Sequence, residues 1–517
     1  VHEHWGFQRV FLIADLATVT VAAMAPDDWE ITICEEHVEP VDFDIEADFI
    51  GITGKINQAS RMVAIADEFR RRGKTVLIGG PYASLSPDSF RGRCDILIIG
   101  EMEGIAEEFF ADLESGSWKE EYVNEDKPDL TLSPLPRWDL YPNDRSLTGC
   151  VQTSRGCPFE CEFCDVIQYL GRKQRHKSVE QILAELDQLY EIGYRMTFLA
   201  DDNFTVYRRR AKEVLAALRD WNEAKGDDPM AFGTQVSIDA ARDPEIVQLC
   251  AEAGMSFVFI GIETPNEESL KEAKKRQNVG IDLVGQIQVF LDHGIGVIGG
   301  MIVGFDHDGF DIFQMQYDFA MKTPIPFFSL GALVAPVSTP LHDRMRESGR
   351  LIEGLIDDAG PPWDTNIIPA RMSREQLMTG LKWLCNRLYT PENFGQRVVQ
   401  MIERMGEQRG PFRSRAGQER TRKKMRPVEM EAMNVLKKLV LQGKAEKRMW
   451  SRIWKAMQKN PGAAGAVMNF MHRYAQIRCL YEVGHFWEPQ LAEQALSLGV
   501  VGDTAAGQGS GLVSIGQ

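Results

Sequence analysis

The sequence predicts an α/β protein in three parts. A doubly wound, Rossmann-like domain spans residues 1–125, a partial (β/α)6 barrel of the TIM type spans 147–338, and a helical domain spans 339–501, with 126–146 a linker and 502–517 a disordered tail. Three observations predict this. Short apolar runs ending in turn residues alternate with helical patterns up to about residue 125. The alternation resumes near Ser146 with six regularly spaced units, as a partial barrel requires. Beyond Pro340 the apolar spacing is helical only. A chain of 517 residues, 44% hydrophobic, is long enough for two or three domains and ordinary in composition for a globular protein.

In the first part, residues 29–34, 49–53, 75–79 and 96–100 read as strands, and 57–72 and 105–113 as helices. Ligands of such sheets bind beyond the carboxyl ends of the strands. The residues there are Thr53, Gly54 and Lys55, the pair Gly79 and Gly80, and Gly100 with Glu101. Glycines let a ligand approach the backbone, and they equally make tight strand-to-helix turns with no ligand. Pro128, Pro134, Pro136 and Pro142 then mark the linker.

In the second part the expected strands are 149–153, 197–200, 232–237, 257–262, 297–303 and 327–335. Active groups of barrels gather at the carboxyl ends of strands. The first strand runs into Ser154-Arg155-Gly156-Cys157-Pro158-Phe159-Glu160-Cys161-Glu162-Phe163-Cys164, which places three thiols in one short loop. Thiolates select iron-sulfur clusters, zinc or Cu(I). Structural zinc and electron-transfer clusters take four ligands, whereas three thiolates on a four-iron cluster leave one iron open for chemistry. A three-cysteine zinc site with a distant fourth ligand is the plainer alternative.

Later strands end in Asp201-Asp202-Asn203, in Gly261-Ile262-Glu263-Thr264 and in Gly300-Met301-Ile302-Val303-Gly304, while Gln235 and Ser237 share one face of the third strand. Acidic residues at such ends serve either a ligand or the cap of the next helix. The run 169–175 is basic, either an anion holder or a solvated loop, and Ser178 with Gln181 has capping-box spacing.

In the third part, helices are expected at 341–351, 373–388, 394–404 and from 428 onward. Residues 409–459 are strongly basic, with Arg413, Arg415, Arg420, Arg422, Lys423, Lys424 and Arg426 in the first half. Such a segment lies on anionic lipid or pairs with the protein's own acidic surface. The formal charge of −17 argues against nucleic-acid binding. Nine cysteines, scattered outside the one cluster, argue for a reducing compartment rather than a disulfide framework. With no spanning apolar run and no signal-peptide layout at the start, a cytoplasmic location is expected.

The cysteine spacing, with Phe163 before the last thiol, resembles the signature of the radical S-adenosylmethionine (radical SAM) superfamily. That resemblance implies a 4Fe-4S cluster on Cys157, Cys161 and Cys164 whose open iron chelates SAM. It implies SAM contacts at Phe163, Asp201, Asp202, Asn203, Gln235, Ser237, Glu263, Gly300, Ile302 and Gly304, with His307 where the family's trailing Glu is usual. The first part resembles the cobalamin-binding domain of B12-dependent radical SAM enzymes. Thr53, Gly54, Lys55, Gly79, Gly80, Gly100 and Glu101 are the implied cobalamin contacts; the Asp-x-His-x-x-Gly signature of free-standing cobalamin domains is absent, and His37 is its nearest imitation.

The order of parts is similar to the group that includes the hopanoid C-methylases. The resemblance implies a cobalamin-dependent radical SAM C-methyltransferase acting on an unactivated carbon of a hydrophobic small molecule. An oxidative cyclase or rearrangement enzyme with the same cofactors, and a cofactor-binding sensor without turnover, are the rivals. Implied partners are a low-potential electron donor such as a flavodoxin or ferredoxin, and a membrane surface.

Overall fold

The computed structural model describes residues 3–354, 364–407, 411, 425–483, 495 and 497–499. Within them the strands are β1 (Phe11–Ile13), β2 (Phe49–Thr53), β3 (Thr75–Gly79), β4 (Ile96–Ile99), β5 (Glu121–Val123), β6 (Ser146–Val151), β7 (Ser154–Arg155), β8 (Arg175–His176), β9 (Met196–Leu199), β10 (Ala231–Val236), β11 (Met255–Glu263), β12 (Gly296–Val303) and β13 (Phe327–Ala332). They form a parallel sheet in the order β2-β3-β4-β5, a larger parallel sheet in the order β1-β6-β9-β10-β11-β12-β13, and the antiparallel ribbon β7-β8. Sequential strands that neighbour in parallel need a crossover, and helices such as Val179–Ile192, Arg208–Ala224 and Pro244–Ala253 supply it here.

Two expectations for the first part are corrected. Residues 11–13 belong to the barrel sheet, where Phe11 registers with Ser146 and Ile13 with Thr148. The amino-terminal domain therefore does not begin at residue 1. Residues 29–34 form no strand. Their apolar content serves packing instead: Trp29 stacks on Phe49 at 5.8 Å and meets Phe110 edge-on at 5.5 Å.

The proline-rich stretch is a packed connection rather than a loose one. Leu130, Trp138 and Tyr141 are buried, and three short 3-10 turns, Leu130–Leu132, Trp138–Leu140 and Asn143–Arg145, set them there. The barrel interior is tightly packed. A Cβ on Gly233 would stand 2.3 Å from the Phe257 ring, so the glycine is what admits that phenylalanine.

The expected tail helices form at Pro340–Glu347, Arg374–Leu388, Pro391–Arg404, Pro427–Leu441, Lys444–Lys459 and Ala464–Val483. Ser373 caps the second in a full capping box, as Ser178 and Gln181 do for Val179–Ile192, each worth about 1 kcal/mol. The last helix covers the amino-terminal end of the barrel. Phe470 lies against Gly296, and the Arg473 guanidinium lies 5.2 Å from the ring of Phe257 and 5.8 Å from that of Phe327. The opposite, carboxyl end stays available for chemistry. The expected disordered tail at 502–517, and Arg413, Arg415, Arg420, Arg422, Lys423 and Lys424, lie outside the described residues.

Candidate active site

The cysteine loop leaves the carboxyl end of β6 and returns through β8, so its two limbs meet at the β7-β8 ribbon. Gly156 has φ 96°, and a Cβ there would stand 2.8 Å from the Lys173 carbonyl; only glycine lets the limbs pass so closely. Asp201 holds one limb. Its carboxylate accepts from the Thr153 and Ser154 amides at 2.7 and 3.1 Å and from both hydroxyls. Those oxygens are therefore engaged by the protein, and Asp201 orients the loop rather than facing a ligand. Asp202 accepts from the Gly156 amide at 2.8 Å, and burial pushes its carboxyl up to about 6.

Between the cysteines, Glu162 is held from three sides. Its amide donates to the Ala273 carbonyl and its carbonyl accepts from the Leu341 amide. Its carboxylate accepts from Arg344 at 2.7 and 3.0 Å, and Arg344 also reaches Asp306 and Glu272. Cys161 is buried, while Cys157 and Cys164 are half-buried. Burial raises the Cys157 thiol and pushes that of Cys164 up to about 12. Among the described residues no three His, Cys, Asp or Glu side chains crowd tightly enough to hold a single metal ion. Thiolates bound to separate irons of one cluster stand farther apart than ligands of one ion. Phe163 and Ile302 both pack against the small core around Phe305 and Leu333, and Phe163 lies 6.3 Å from the Phe305 ring.

Across the barrel mouth, Asn203 donates to the Ser237 hydroxyl at 3.1 Å, and its own Oδ1 is buried with no donor. A buried acceptor left open fits an incoming ammonium or hydroxyl. Gln235 is half-buried on the same strand face as Ser237. Glu263 ends β11 with φ 64°, a left-handed conformation rare for a non-glycine residue. Its carboxylate accepts from Lys275 at 2.7 Å. Burial works against the charge on Lys275, yet the Glu263 carboxylate keeps it well above the ordinary lysine range.

Gly300 lies in β12, where a Cβ would meet the Phe259 ring at 2.9 Å. Gly304 has φ 108°, and its amide donates to Asp308, which also accepts from the Phe305 amide and the Ser269 hydroxyl. His307 is exposed and pairs with Glu272.

Lys275 and Asp308 were not expected as site residues. Lys275 follows Lys271 and Lys274 just past the helix Glu267–Glu272, and Asp308 is the last residue of the polar run Asp306-His307-Asp308.

At the carboxyl ends of the smaller sheet, Gly80 has φ 97° and a Cβ there would strike Thr53 Oγ1 at 2.2 Å. Ser84 ties two of these ends together, donating to the Gly80 carbonyl and accepting from the Gly100 amide, both at 2.9 Å. Gly79 abuts Ile98, Gly54 abuts Met62 and Gln58, and Lys55 is exposed. A Cβ on Gly100 would likewise meet the Asn124 carbonyl at 2.2 Å, so both glycines are required by the packing of the strand-end loops themselves. Glu101 departs from expectation. Its oxygens accept from Arg155 at 2.6 Å and from Arg175 at 2.8 and 3.0 Å, so it grips the barrel and is not free to face a cofactor.

Residues 151–319 match the Radical SAM superfamily, and residues 339–482 match a domain of unknown function, DUF4070. Over 379 residues the chain is 36% identical to an uncharacterized methyltransferase of Synechocystis sp., covering 71% of this chain and 70% of that protein. The chain belongs to the radical SAM superfamily. It is a radical SAM enzyme, and its relatives include methyltransferases. Over 341 residues it is 31% identical to the hopanoid C-2 methylase of Rhodopseudomonas palustris, covering 65% of this chain and 64% of that one. Among solved structures, the fold is similar to that of the cobalamin-dependent S-adenosylmethionine radical enzyme OxsB with aqua-cobalamin bound. That likeness has TM-score 0.52 and 16% identity and covers 96% of this chain and 81% of that one.

Proposed function

We propose that this radical SAM enzyme is a cobalamin-dependent C-methyltransferase acting on an unactivated carbon of a hydrophobic small molecule. The observation that carries the reading is one juxtaposition. Glu101, on the strand-end loop of the smaller sheet, bonds to both limbs of the three-cysteine loop at the barrel mouth. This contact supports a reading in which the glycine-bearing strand ends and the cysteine loop serve one reaction. When bound, the cluster and SAM supply a 5'-deoxyadenosyl radical and cobalamin supplies the methyl group; the protein's task is binding, orientation and exclusion of water.

Cys157, Cys161 and Cys164 are the proposed cluster ligands. Asp202, the open Oδ1 of Asn203 and the Glu263–Lys275 pair are suited to the polar groups of SAM, with Phe163 and the Gly300–Gly304 backbone along its adenine. Thr53, Gly79, Gly80 and Gly100 offer the surface for cobalamin. The methyltransferase relatives favour methyl transfer over oxidative cyclisation, and product mass separates the two, since only methylation adds a carbon. The named relative that acts on a hopanoid supports a hydrophobic substrate class, and a low-potential electron donor is required by the chemistry.

A membrane surface is the proposed further partner. Among the described residues no helix is long and apolar enough to cross a membrane. The outer face of Lys444–Lys459 instead carries exposed Trp454, with Trp450 one turn away at 6.3 Å. Around them Lys447, Arg448, Arg452 and Lys455 are exposed and have no acidic partner among the described residues. Aromatic and cationic side chains together suit an anionic lipid interface. Co-sedimentation with anionic vesicles that Trp450→Ala with Trp454→Ala weakens is expected, and an unsubstituted chain that does not co-sediment would remove this role.

The deciding experiment is anaerobic reconstitution with iron, sulfide, cobalamin and reductant, followed by mass spectrometry of SAM products. Both 5'-deoxyadenosine and S-adenosylhomocysteine are expected. Deoxyadenosine alone would favour the cyclase reading, and neither product from cluster-loaded, cobalamin-loaded protein would favour a sensor.

A further inference from the structure

We propose that the acidic loop of the amino-terminal domain is a working part of the cluster loop: Glu101, supported by Glu103, closes the neck of residues 156–174, so that domain docking and cluster retention are coupled. The inference rests on the reading that Cys157, Cys161 and Cys164 hold a cluster.

The neck is a ribbon of two residues per strand, too short to persist alone. Within it Arg155 registers directly opposite Arg175. Like charges opposed across an antiparallel pair push the strands apart. Their shared counter-charge comes from the other domain. Glu101 takes Arg155 on one side and Arg175 in a two-pronged contact on the other, and Glu103 takes Arg155 at 2.9 Å. All four side chains are at most 14% exposed. Charge-assisted bonds in such surroundings are strong, and losing one partner leaves the others uncompensated.

The acidic loop is built to present these groups. Gly100 and Gly104 turn it with φ 97° and 94°. The Asn124 side chain donates to the Glu101 and Glu103 carbonyls at 2.7 and 3.1 Å. Ser133, from the connecting stretch, donates to Glu103, and Arg175 reaches the Pro128 carbonyl at 2.8 Å, which ties the connection into the same neck. From the barrel side, Asp201, Asp202 and Gln174 hold the limbs, while Glu101 is the acid from the amino-terminal domain that bonds to both arginines of the neck.

The test uses full-length reconstituted protein carrying Glu101→Gln, alone and with Glu103→Gln. Three quantities are read: iron release to a chelator, hydrogen exchange over residues 156–174, and cobalamin affinity by titration. The expected result is iron release faster by about fivefold or more and reduced exchange protection of the loop, with cobalamin affinity within about twofold. Arg175→Lys, which keeps the charge but not the two-pronged contact, should fall between. Unchanged iron release and unchanged protection would overturn the proposal. A selective loss of cobalamin affinity would overturn it in a different direction, returning Glu101 to the cofactor. Should Glu101→Gln fail to fold, Arg175→Lys carries the same comparison. If the unsubstituted protein takes up no iron, the cluster reading fails instead, and exchange over 156–174 still reports on the neck.

Discussion

Glu263 and Lys275 form a 2.7 Å ion pair in which the acid sits at φ 64° at the end of β11. A non-glycine residue holds such a conformation only where its surroundings determine it, and here the pair supplies that determination. Both side chains are largely buried, at 8% and 14% exposure.

Removing Lys275 should therefore be severe. Lys275→Met leaves the Glu263 carboxylate buried without a cation, and breaking such a pair costs about 3–5 kcal/mol. That cost falls on the fold and lowers the denaturant midpoint, and SAM binding is expected to weaken with it. Calorimetric titration of the cluster-loaded protein measures the binding, with Lys275→Arg expected to recover part. Unchanged affinity would remove Lys275 from the SAM site.

Asp308 should tune stability with pH. Burial raises its carboxyl to about 6, above the ordinary value near 3.8. A raised acid stabilises the fold fully below its unfolded value, and that contribution is lost as pH rises through the folded one. Between about pH 4 and 6 Asp308 thus withdraws about 3 kcal/mol from the fold. Asp308→Asn keeps acceptors for the Gly304 and Phe305 amides and a donor for Ser269. Its denaturant midpoint should vary less over this range than that of the unsubstituted chain, measured before cluster loading. An identical slope would show that Asp308 does not titrate there.

Cluster assembly should improve as pH rises from about 7 to 9. Burial holds the Cys157 and Cys164 thiols above their ordinary values, so protons compete with iron for the sulfur. Iron incorporated per chain, followed at fixed iron and sulfide, is the readout. A flat profile would mean that the thiols are already ionised in the unloaded loop.

Gly80→Ala should damage the amino-terminal domain locally. The new Cβ would lie 2.2 Å from Thr53 Oγ1 at a φ of 97°. The backbone conformation alone costs roughly 1–2 kcal/mol for an L-residue. Cobalamin affinity should fall with stability, and adding Thr53→Ala should restore part of the stability by removing the clash. If affinity stays unchanged while stability falls, the glycine serves the turn and not the cofactor.

Much of the chain was legible because its periodicities are local. All six barrel strands appear in chain order, with ends moved by a few residues, and the tail helices begin beside the caps that the sequence displays. Residues 29–34 misled because an apolar run with strand-like content packs equally well without pairing, as Trp29 does against Phe49. The three thiols announced themselves by spacing alone. Lys275 did not, since a lysine among lysines carries no signal until folding brings it to Glu263.

The sequence by itself determined the α/β architecture, the cysteine loop and the strand-end residues, because hydrophobic period, turn chemistry and ligand spacing are properties of neighbours in the chain. Only the tertiary structure decided that residues 11–13 extend the barrel sheet, that Asp201 orients the cluster loop, and that Glu101 clasps Arg155 and Arg175. Each of those depends on a partner 47 or more positions away, and the choice among chemically equal partners is made by burial and charge once the domains meet.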